Sequence, residues 1–332
     1  MSNARIVASL LSARLASTAT MSPAKLLLLM ASPRGFCAGV TRAIQGVVDA
    51  LRHYGPPVYV RRPIVHNRSV VRMLEQQGAI FVEELDQVPE GAVVILSAHG
   101  VPQDVTAEMK RRDLRGFDAI CPLVQKVHSG VARHHRAGRH IVLIGHGDHP
   151  EIVGTLGQLP HGAMSLVQSV DDVLALALHQ RTPIAYAIQT TFSLDEARAI
   201  VDVIKACFSD VIGPNSSDIC YATSNRQAAV KAIALRSDSV IVAGERFSSN
   251  ALRLAEVARA AGCLRVQLIP DASHIDWSLI MGARTVGLSA AASTPEWSVT
   301  TIVDAMRARF EVSIEEFFDA DETAVFRPLS IN

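Results

Sequence analysis

Short apolar segments alternate with amphipathic helical segments along this chain of 332 residues, and this alternation is the strongest constraint on its fold. The apolar segments are mostly continuous runs of Val, Ile and Leu, as is typical of parallel strands buried on both faces. The predicted strands are Lys25–Met30, Ala92–Ser97, Ile141–Gly145, Ile184–Ile188, Ser239–Gly244, Val266–Ile269 and Thr285–Ser289. The alternation therefore predicts an α/β architecture.

Composition narrows the class of protein further. Lys plus Arg and Asp plus Glu both number 32, so the net charge is zero and nothing in the balance indicates a nucleic-acid-binding surface. No apolar run reaches the length of a membrane span. The 5 cysteines are scattered, which argues against a disulfide framework and favours a reducing, cytoplasmic compartment. The length predicts two or three domains.

Residues 1–24 are predicted to be an N-terminal extension. They contain Arg5 and Arg14 and no acidic residue, which superficially resembles a targeting peptide. They lack the apolar core and the cleavage site of such a peptide, and Met21 is a candidate start. We expect residues 1–24 to be dispensable for activity.

Polar side chains follow several of the predicted strands. Open parallel sheets bind ligands outside the carboxyl ends of their strands. The loops at these ends are Ala98–Gly100, His146–Glu151, Gln189–Thr191, Ser248–Asn250 and Ala290–Pro295. They carry imidazoles, hydroxyls, an amide and a carboxylate, so the sequence predicts a binding site built from several loops.

Three cysteines lie far apart, each in a short polar segment beside an apolar run: Cys37, Cys121 and Cys220. Their spacing is not that of a C-x-x-C clip and favours three similar modules that each bring one thiolate to a shared centre. Three thiolates on one iron–sulfur cluster would leave one iron without a protein ligand, free to bind substrate. The alternative is that they are inert buried residues. Cys207 and Cys263 lie at predicted helix ends and are interpreted as structural.

Histidines and hydroxyls at the strand ends predict an anion site. His66 and His99 lie at strand ends with Asn or Gly beside them. Ser248, Ser249 and Asn250 open a predicted helix, where capping is the default role. Because a cap and a phosphate site use the same exposed N–H groups, this segment fits both roles.

The segment His146–Glu151 places two imidazoles and a carboxylate close together. Pro150 breaks the helical spacing that a zinc-binding H-E-x-x-H motif requires, so a zinc site is less favoured. A carboxylic acid in a closed pocket beside an anion can be held protonated and act as a general acid. Glu151 is therefore a candidate proton donor.

Together these motifs resemble the IspH/LytB family of hydroxymethylbutenyl diphosphate reductases, from about Leu26 to about Pro328. The matching segments are Pro33–Val40, Val65–Asn67, Ser97–Val101, Cys121–Val124, Gly145–Glu151, Gln189–Thr191, Asp218–Thr223 and Ser248–Asn250. The resemblance implies a trefoil of three pseudo-repeated α/β domains around one central 4Fe-4S cluster per chain. The expected domains are 25–120, 121–217 and 218–305, followed by a tail, 306–332, that packs back on the first domain.

The resemblance also implies an activity and a site. The activity is reductive dehydroxylation of 4-hydroxy-3-methylbut-2-enyl diphosphate to isopentenyl and dimethylallyl diphosphate in the non-mevalonate pathway, with electrons from ferredoxin or flavodoxin. The implied cluster ligands are Cys37, Cys121 and Cys220. The expected substrate contacts are His66, His99, His149, Thr190, Ser248, Ser249, Asn250 and Ser293. The candidate catalytic residues are Glu151, Thr190 and His149, with Glu151 and Thr190 near the substrate hydroxyl.

Two segments depart from the family pattern. Phe247–Leu254 reads F-S-S-N-A-L-R-L where the family usually has N-S-S-N-S-N-R-L. Ser289–Ser293 reads S-A-A-A-S where the family usually has T-A-G-A-S, and loss of the glycine at Ala291 can alter the approach of the backbone to an anion. The alternatives are a divergent paralogue that acts on or senses another diphosphate with its cluster, and a cluster-free protein with structural cysteines.

Overall fold

Within residues 23–318, the strands form three separate sheets in which every pairing is parallel. The structure, a computed structural model, describes residues 23–318 and 320–331, so the predicted extension 1–24 falls almost entirely outside the described residues. The predicted α/β architecture is confirmed, with three parallel sheets among the described residues.

Strands and helices alternate along the chain. The strands are β1 (Lys25–Ser32), β2 (Val58–Arg61), β3 (Ala79–Val82), β4 (Val93–Leu96), β5 (Arg115–Asp118), β6 (His140–Ile144), β7 (Met164–Val167), β8 (Ile184–Ile188), β9 (Val211–Ile212), β10 (Ser239–Ala243), β11 (Val266–Ile269), β12 (Thr285–Ala290) and β13 (Glu311–Phe318). The α-helices are α1 (Ala38–Tyr54), α2 (Arg68–Gln76), α3 (Gln103–Arg111), α4 (Pro122–Arg136), α5 (Pro150–Leu156), α6 (Val170–Leu174), α7 (Leu194–Cys207), α8 (Tyr221–Ala234), α9 (Ser249–Ala260) and α10 (Glu296–Arg307). Each strand predicted from an apolar run is present.

Each sheet is the centre of one unit. The first unit has a 4-stranded sheet in the order β3-β2-β4-β5, and the second has a 4-stranded sheet in the order β7-β6-β8-β9. The third has a 5-stranded sheet in the order β11-β10-β12-β1-β13. Strand β10 is buried at every residue, as expected of a parallel strand covered by helices on both faces. Because parallel strands share a direction, the polar loops of each unit lie at one edge of its sheet.

The first strand is placed differently from the expected domain boundaries. Residues 25–32 form β1, which lies inside the third sheet between β12 and β13 rather than in the first unit. A strand buried over most of its length is stabilised by neighbours on both sides, and β13, from the expected tail 306–332, provides one of them. The rest of that tail, residues 320–331, lies against α1, where the Tyr54 hydroxyl donates to the Ile331 carbonyl at 2.9 Å.

Across the part of the chain that the structure describes, no helix combines the length and the apolar character needed to cross a membrane.

Candidate functional site

Loops from all three units line one cavity. The first unit contributes the loops after β2, β4 and β5, the second those after β6, β8 and β9, and the third those after β1, β10 and β12. Every site residue expected from the sequence lines this cavity: Cys37, His66, His99, Cys121, His149, Glu151, Thr190, Cys220, Ser248, Ser249, Asn250 and Ser293. The fold therefore brings together side chains that are far apart in the sequence.

Each of the three cysteines in the cavity immediately precedes a helix. Cys37 is the N-cap residue of α1, Cys121 of α4 and Cys220 of α8. The first N–H groups of a helix have no intrahelical partner, and the helix dipole adds partial positive charge there. Three helix N-termini thus meet at the cavity and favour negative charge between them.

The backbone of each cysteine is hydrogen-bonded to a loop that carries another candidate site residue. The three bonds run from the N–H of Cys37 to the carbonyl of Ala292 (3.3 Å), from Cys121 to Ala98 (2.9 Å) and from Cys220 to Thr190 (3.1 Å). These acceptors are Thr190 itself and the neighbours of Ser293 and His99. The sulfur atoms and the polar side chains of the cavity are therefore held in fixed relative positions.

The three thiols fit a group larger than a single ion. They are free of disulfides, and within residues 23–318 and 320–331 no three His, Cys, Asp or Glu side chains are placed to hold one metal ion. The sulfurs of Cys37 and Cys121 lie 3.8 and 2.8 Å from where a Cβ on Gly39 would be, so a side chain at Gly39 would occupy their space. Burial raises the pKa of Cys121 to about 12 and that of Cys220 to about 11, so both stay protonated until a metal displaces the proton.

Glu151 and Thr190 form a buried hydrogen-bonded pair. The Thr190 backbone N–H donates to Glu151 Oε1 at 2.6 Å, and the Thr190 hydroxyl donates to Oε2 at 2.7 Å. Glu151 is 2% exposed, and burial raises its pKa to about 7. A protonated Glu151 can donate to the Thr190 hydroxyl, which is then free to donate to a group bound in the cavity. The pair therefore has the geometry to pass a proton to the cavity wall.

Three imidazoles lie side by side in the cavity. The ring centroids of His66 and His99 are 4.2 Å apart. The ring centroid of His149 lies 5.4 Å from that of His66 and 5.8 Å from that of His99. Burial lowers the pKa of His66 to about 4 and that of His149 to about 3, and it holds the pKa of His99 well below its usual value. His149 Nδ1 accepts from the Glu151 N–H at 3.2 Å, which places its proton on Nε2. Near pH 7 these side chains are neutral donors.

Two buried polar atoms in the cavity wall have no hydrogen-bond partner among the described residues: His66 Nε2 and Asn250 Nδ2. Asn250 Oδ1 accepts from the Ala292 N–H at 2.8 Å, which fixes the amide and leaves its NH₂ group free to donate. The Ser293 hydroxyl donates to the His66 carbonyl at 3.1 Å. A buried polar atom without a partner costs about 1–3 kcal/mol. These atoms therefore point to a bound group that accepts hydrogen bonds.

The start of α9 is held by its own side chains. Ser248 caps the helix, since its Oγ accepts from the Ala251 N–H at 3.4 Å, as expected from the sequence. The Ser249 Oγ accepts from the Thr191 hydroxyl at 3.2 Å and from Gln189 Nε2 at 3.4 Å. Both serines line the cavity, so the capping role leaves them beside any bound group.

Two polar residues of the matching segment Asp218–Thr223 were not singled out as site residues: Thr223, which lines the cavity, and Asp218, which lies outside its lining. Thr223 Oγ1 lies 3.2 Å from Cys220 Sγ, and the Thr223 N–H donates to the same sulfur at 3.4 Å. Asp218 accepts from the Ile188 N–H at 3.1 Å, and burial raises its pKa to about 6. The position of Thr223 one turn after a helix-capping cysteine was a usable signal, whereas the burial of Asp218 depends on tertiary packing.

Two of the departures from the family pattern, Ala251 and Ala291, lie in the core, whereas Phe247 and Leu252 are exposed. In the described chain the only non-glycine residues with positive φ are Arg62 and Asp113, so Ala291 has a backbone that alanine adopts without strain. Ala251 and Ala291 are fully buried, and their methyl groups lie 2.7 and 3.1 Å from the place of a Cβ on Gly244. The backbone found at Ala291 is thus compatible with its methyl group.

Two curated relatives match most of this chain. The 4-hydroxy-3-methylbut-2-enyl diphosphate reductase of Gluconobacter oxydans (strain 621H) is 52% identical over 303 residues, which is 90% of each chain. The protein of the same name from Phenylobacterium zucineum (strain HLK1) is 51% identical over 302 residues, covering 91% of this chain and 96% of the relative.

Two solved structures and a family model indicate the same family as these relatives. The E-1-hydroxy-2-methyl-but-2-enyl-4-diphosphate reductase from Plasmodium falciparum has a TM-score of 0.88 at 37% identity, over 92% of this chain and 96% of that chain. A second structure, of (E)-4-hydroxy-3-methyl-but-2-enyl diphosphate reductase, has a TM-score of 0.62 at 30% identity, over 85% of this chain and 99% of that chain. The sequence model described as LytB protein matches residues 28–307. The chain with this three-unit cavity therefore belongs to the LytB family.

Proposed function

We propose that this chain is a 4-hydroxy-3-methylbut-2-enyl diphosphate reductase, which removes the allylic hydroxyl of its substrate and yields isopentenyl and dimethylallyl diphosphate. One observation carries the proposal: helix-capping cysteines from three sites in the chain share a cavity with a buried acid and with unpaired hydrogen-bond donors. Relatives with about half of their residues identical bear this name.

The thiols of Cys37, Cys121 and Cys220 are the proposed ligands of one 4Fe-4S cluster. Two features support this assignment: the donor set is too widely spaced for one ion, and three helix N-termini stabilise the negative charge of a thiolate-bound cluster. When bound, the cluster would pass electrons to the substrate and would act as a Lewis acid toward its hydroxyl.

The substrate diphosphate is assigned to the side of the cavity formed by the histidines and the start of α9. Asn250 Nδ2 and His66 Nε2 are unpaired there in the described chain, and no Arg or Lys of that chain lines the cavity. Neutral imidazoles, an amide and helix N–H groups can bind an anion without a formal cation. Arrival of the diphosphate raises the pKa of each nearby histidine, so binding favours proton uptake.

Glu151 is the proposed source of the proton that accompanies the departing hydroxyl. The reaction consumes two electrons and two protons: one proton leaves with the hydroxyl as water, and the other joins the carbon skeleton. Glu151 keeps a proton near neutral pH and is bonded to the Thr190 hydroxyl at the cavity wall. The Thr190 hydroxyl orients the carboxyl and passes its proton to the substrate.

The electrons must come from another protein, because nothing in the reaction itself supplies them. A ferredoxin or a flavodoxin is the proposed donor. The free cysteines of the chain are consistent with the reducing conditions of a cytoplasm, which is the proposed compartment. The alternative of a cluster-based sensor is less favoured, since a sensor needs no buried proton donor such as Glu151.

Anaerobic turnover tests the proposal directly. The protein is reconstituted with iron and sulfide, mixed with 4-hydroxy-3-methylbut-2-enyl diphosphate and an artificial one-electron reductant, and its products are separated. We expect both isopentenyl and dimethylallyl diphosphate. A fully loaded protein that binds the substrate but returns it unchanged would instead support the sensing alternative.

A further inference from the structure

We propose that three basic residues, Arg42, Lys126 and Arg226, form a ring that positions the three cysteines; this inference rests on the cluster assigned above. Each lies in the second turn of a helix that begins after one cysteine. Each donates to the backbone of the segment that leads into another cysteine. The ring thus connects the three cysteine segments to one another.

Arg42 links α1 to the segment before Cys121. Its Nη1 donates to the carbonyls of Ala119 at 3.3 Å and Ile120 at 3.1 Å. Its Nε donates to the carbonyl of Arg327, in the C-terminal segment, at 2.9 Å. Movement of the Cys121 segment away from α1 would leave these two carbonyls without Arg42.

Lys126 plays the equivalent part between α4 and the segment before Cys220. Its Nζ donates to the carbonyls of Ser216 at 3.4 Å and Ser217 at 3.3 Å, and to the Ser216 hydroxyl at 2.7 Å. The same Nζ lies 3.9 Å from a carboxylate oxygen of Asp218. The Lys126 side chain is 42% exposed, so this link is more open to solvent than the others.

Arg226 closes the ring between α8 and the segment before Cys37. Its Nη2 donates to the carbonyls of Gly35 at 2.8 Å and Phe36 at 3.4 Å, and its Nε also donates to Gly35 at 3.1 Å. Arg226 is fully buried, and its charge is paired with Glu322 at 2.6 Å. A buried guanidinium of this kind must keep its partners, because an unpaired buried charge is strongly destabilising.

The C-terminal segment contacts two of the three basic residues of the ring. Glu322 pairs with Arg226, and the Arg327 carbonyl accepts from Arg42. In the described chain, Lys126 makes no hydrogen bond to residues 320–331. The C-terminal segment therefore supports the links to the segments before Cys37 and Cys121, but not the link to the segment before Cys220.

Groups that orient metal ligands without touching the metal affect metal affinity by about 10–100-fold. The ring acts on carbonyls next to the cysteines, so its basic residues are positioning residues. Loss of one link lets the neighbouring cysteine segment move, and the bound cluster is then lost more readily. The stability of the folded protein should depend little on the Lys126 link, because that link lies at the surface.

Iron release from the loaded protein tests the ring. Arg42→Gln and Lys126→Gln are compared with control variants on the same helices, Arg52→Gln on α1 and Arg136→Gln on α4. Arg52 is 74% exposed, and Arg136 donates only to the Ala132 carbonyl of its own helix within the described chain. For each protein, the Tm without metal, the iron bound per chain and the rate of iron transfer to a chelator are measured without oxygen.

We expect Arg42→Gln to release iron about 10-fold faster than the wild type, and Lys126→Gln to show a smaller acceleration. Lys126→Arg, which keeps the charge and the donors, should restore the wild-type rate. Wild-type rates in both Gln variants, or equal acceleration in the controls, would overturn the ring. If Arg42→Gln does not fold, Lys126→Gln decides alone. A wild-type protein that takes up no iron would instead refute the cluster, and the ring with it.

Discussion

At the scale of single residues, Glu151 differs from an ordinary surface glutamate in its burial and in its pKa. Burial raises its pKa to about 7, although two hydrogen bonds from Thr190 act in the opposite direction. The carboxyl can therefore hold a proton near neutral pH and still lie one hydroxyl away from the cavity. The sequence placed Glu151 in the cavity correctly, because this carboxylate follows a strand end and lies close to two histidines in the chain. Its role as a proton donor stays a prediction. The sequence analysis placed Thr190 beside Glu151, and the structure adds the two hydrogen bonds that join them.

The substitution Glu151→Gln tests this role. The amide keeps the size of the side chain and part of its hydrogen bonding but cannot deliver a proton. We expect a normal cluster content, near-normal substrate binding, and turnover slower by about 10²–10⁴-fold. Iron analysis, a binding isotherm and a steady-state assay measure the three quantities. Turnover close to that of the wild type would move the proton source to water or to the substrate diphosphate.

The pH dependence of turnover gives a second test of Glu151. Because burial raises its pKa to about 7, the carboxyl holds its proton below that pH and loses it above. Turnover that needs this proton should fall as the pH rises through about 7. In the substrate-free cavity the pKa values of His66 and His149 are lowered to about 4 and about 3. Because a bound diphosphate raises them, the profile of Glu151→Gln is the measurement that separates the carboxyl from these rings. Glu151→Gln should lack the fall, and a wild-type profile flat across neutral pH would contradict the assignment.

At the scale of elements, the three cysteines and the segment Ser248–Asn250 each stand at the start of a helix that follows a parallel strand. Helices α1, α4 and α8 begin at the cysteines, and α9 begins at Ser248. This placement could be predicted, because polar residues directly after an apolar run indicate the carboxyl end of a strand. Several strands were missed. Arg115–Asp118 holds a single apolar side chain and Glu311–Phe318 carries three glutamates, whereas Val58–Arg61 and Ala79–Val82 are mostly apolar but only four residues long.

The start of α9 can be tested with Asn250→Ala. This change removes the unpaired NH₂ group that we assign to the diphosphate. A hydrogen bond to a charged group contributes about 1.5–3 kcal/mol, so we expect substrate binding to weaken by roughly 10–100-fold. Leu252→Ala, at a 41% exposed position on the same helix, is the control. Equal affinities of Asn250→Ala and the wild type for the substrate would remove Asn250 from the site.

At the scale of the whole molecule, three parallel sheets place one cysteine each around a common cavity. The number of units and the meeting of the cysteines followed from the sequence and from its resemblance to the family. The position of β1 did not follow, because its neighbours β12 and β13 come from the other end of the chain. The basic ring was missed too, although a Lys or Arg stands in the second turn after each cysteine. Its hydrogen bonds cross between units, and no local pattern reveals them.

The central claim is that three helix-capping cysteines hold one cluster that reduces the diphosphate substrate. The most direct measurement compares the wild type, Cys121→Ser and Cys207→Ser after anaerobic reconstitution, with iron, sulfide and turnover determined on the same samples. Cys207 ends α7 and lies outside the cavity lining, so it is the matched control. We predict about four irons and four sulfides per chain with full turnover in the wild type and Cys207→Ser. We predict a depleted cluster without turnover in Cys121→Ser, and a Cys121→Ser protein with unchanged iron content and turnover would contradict the account.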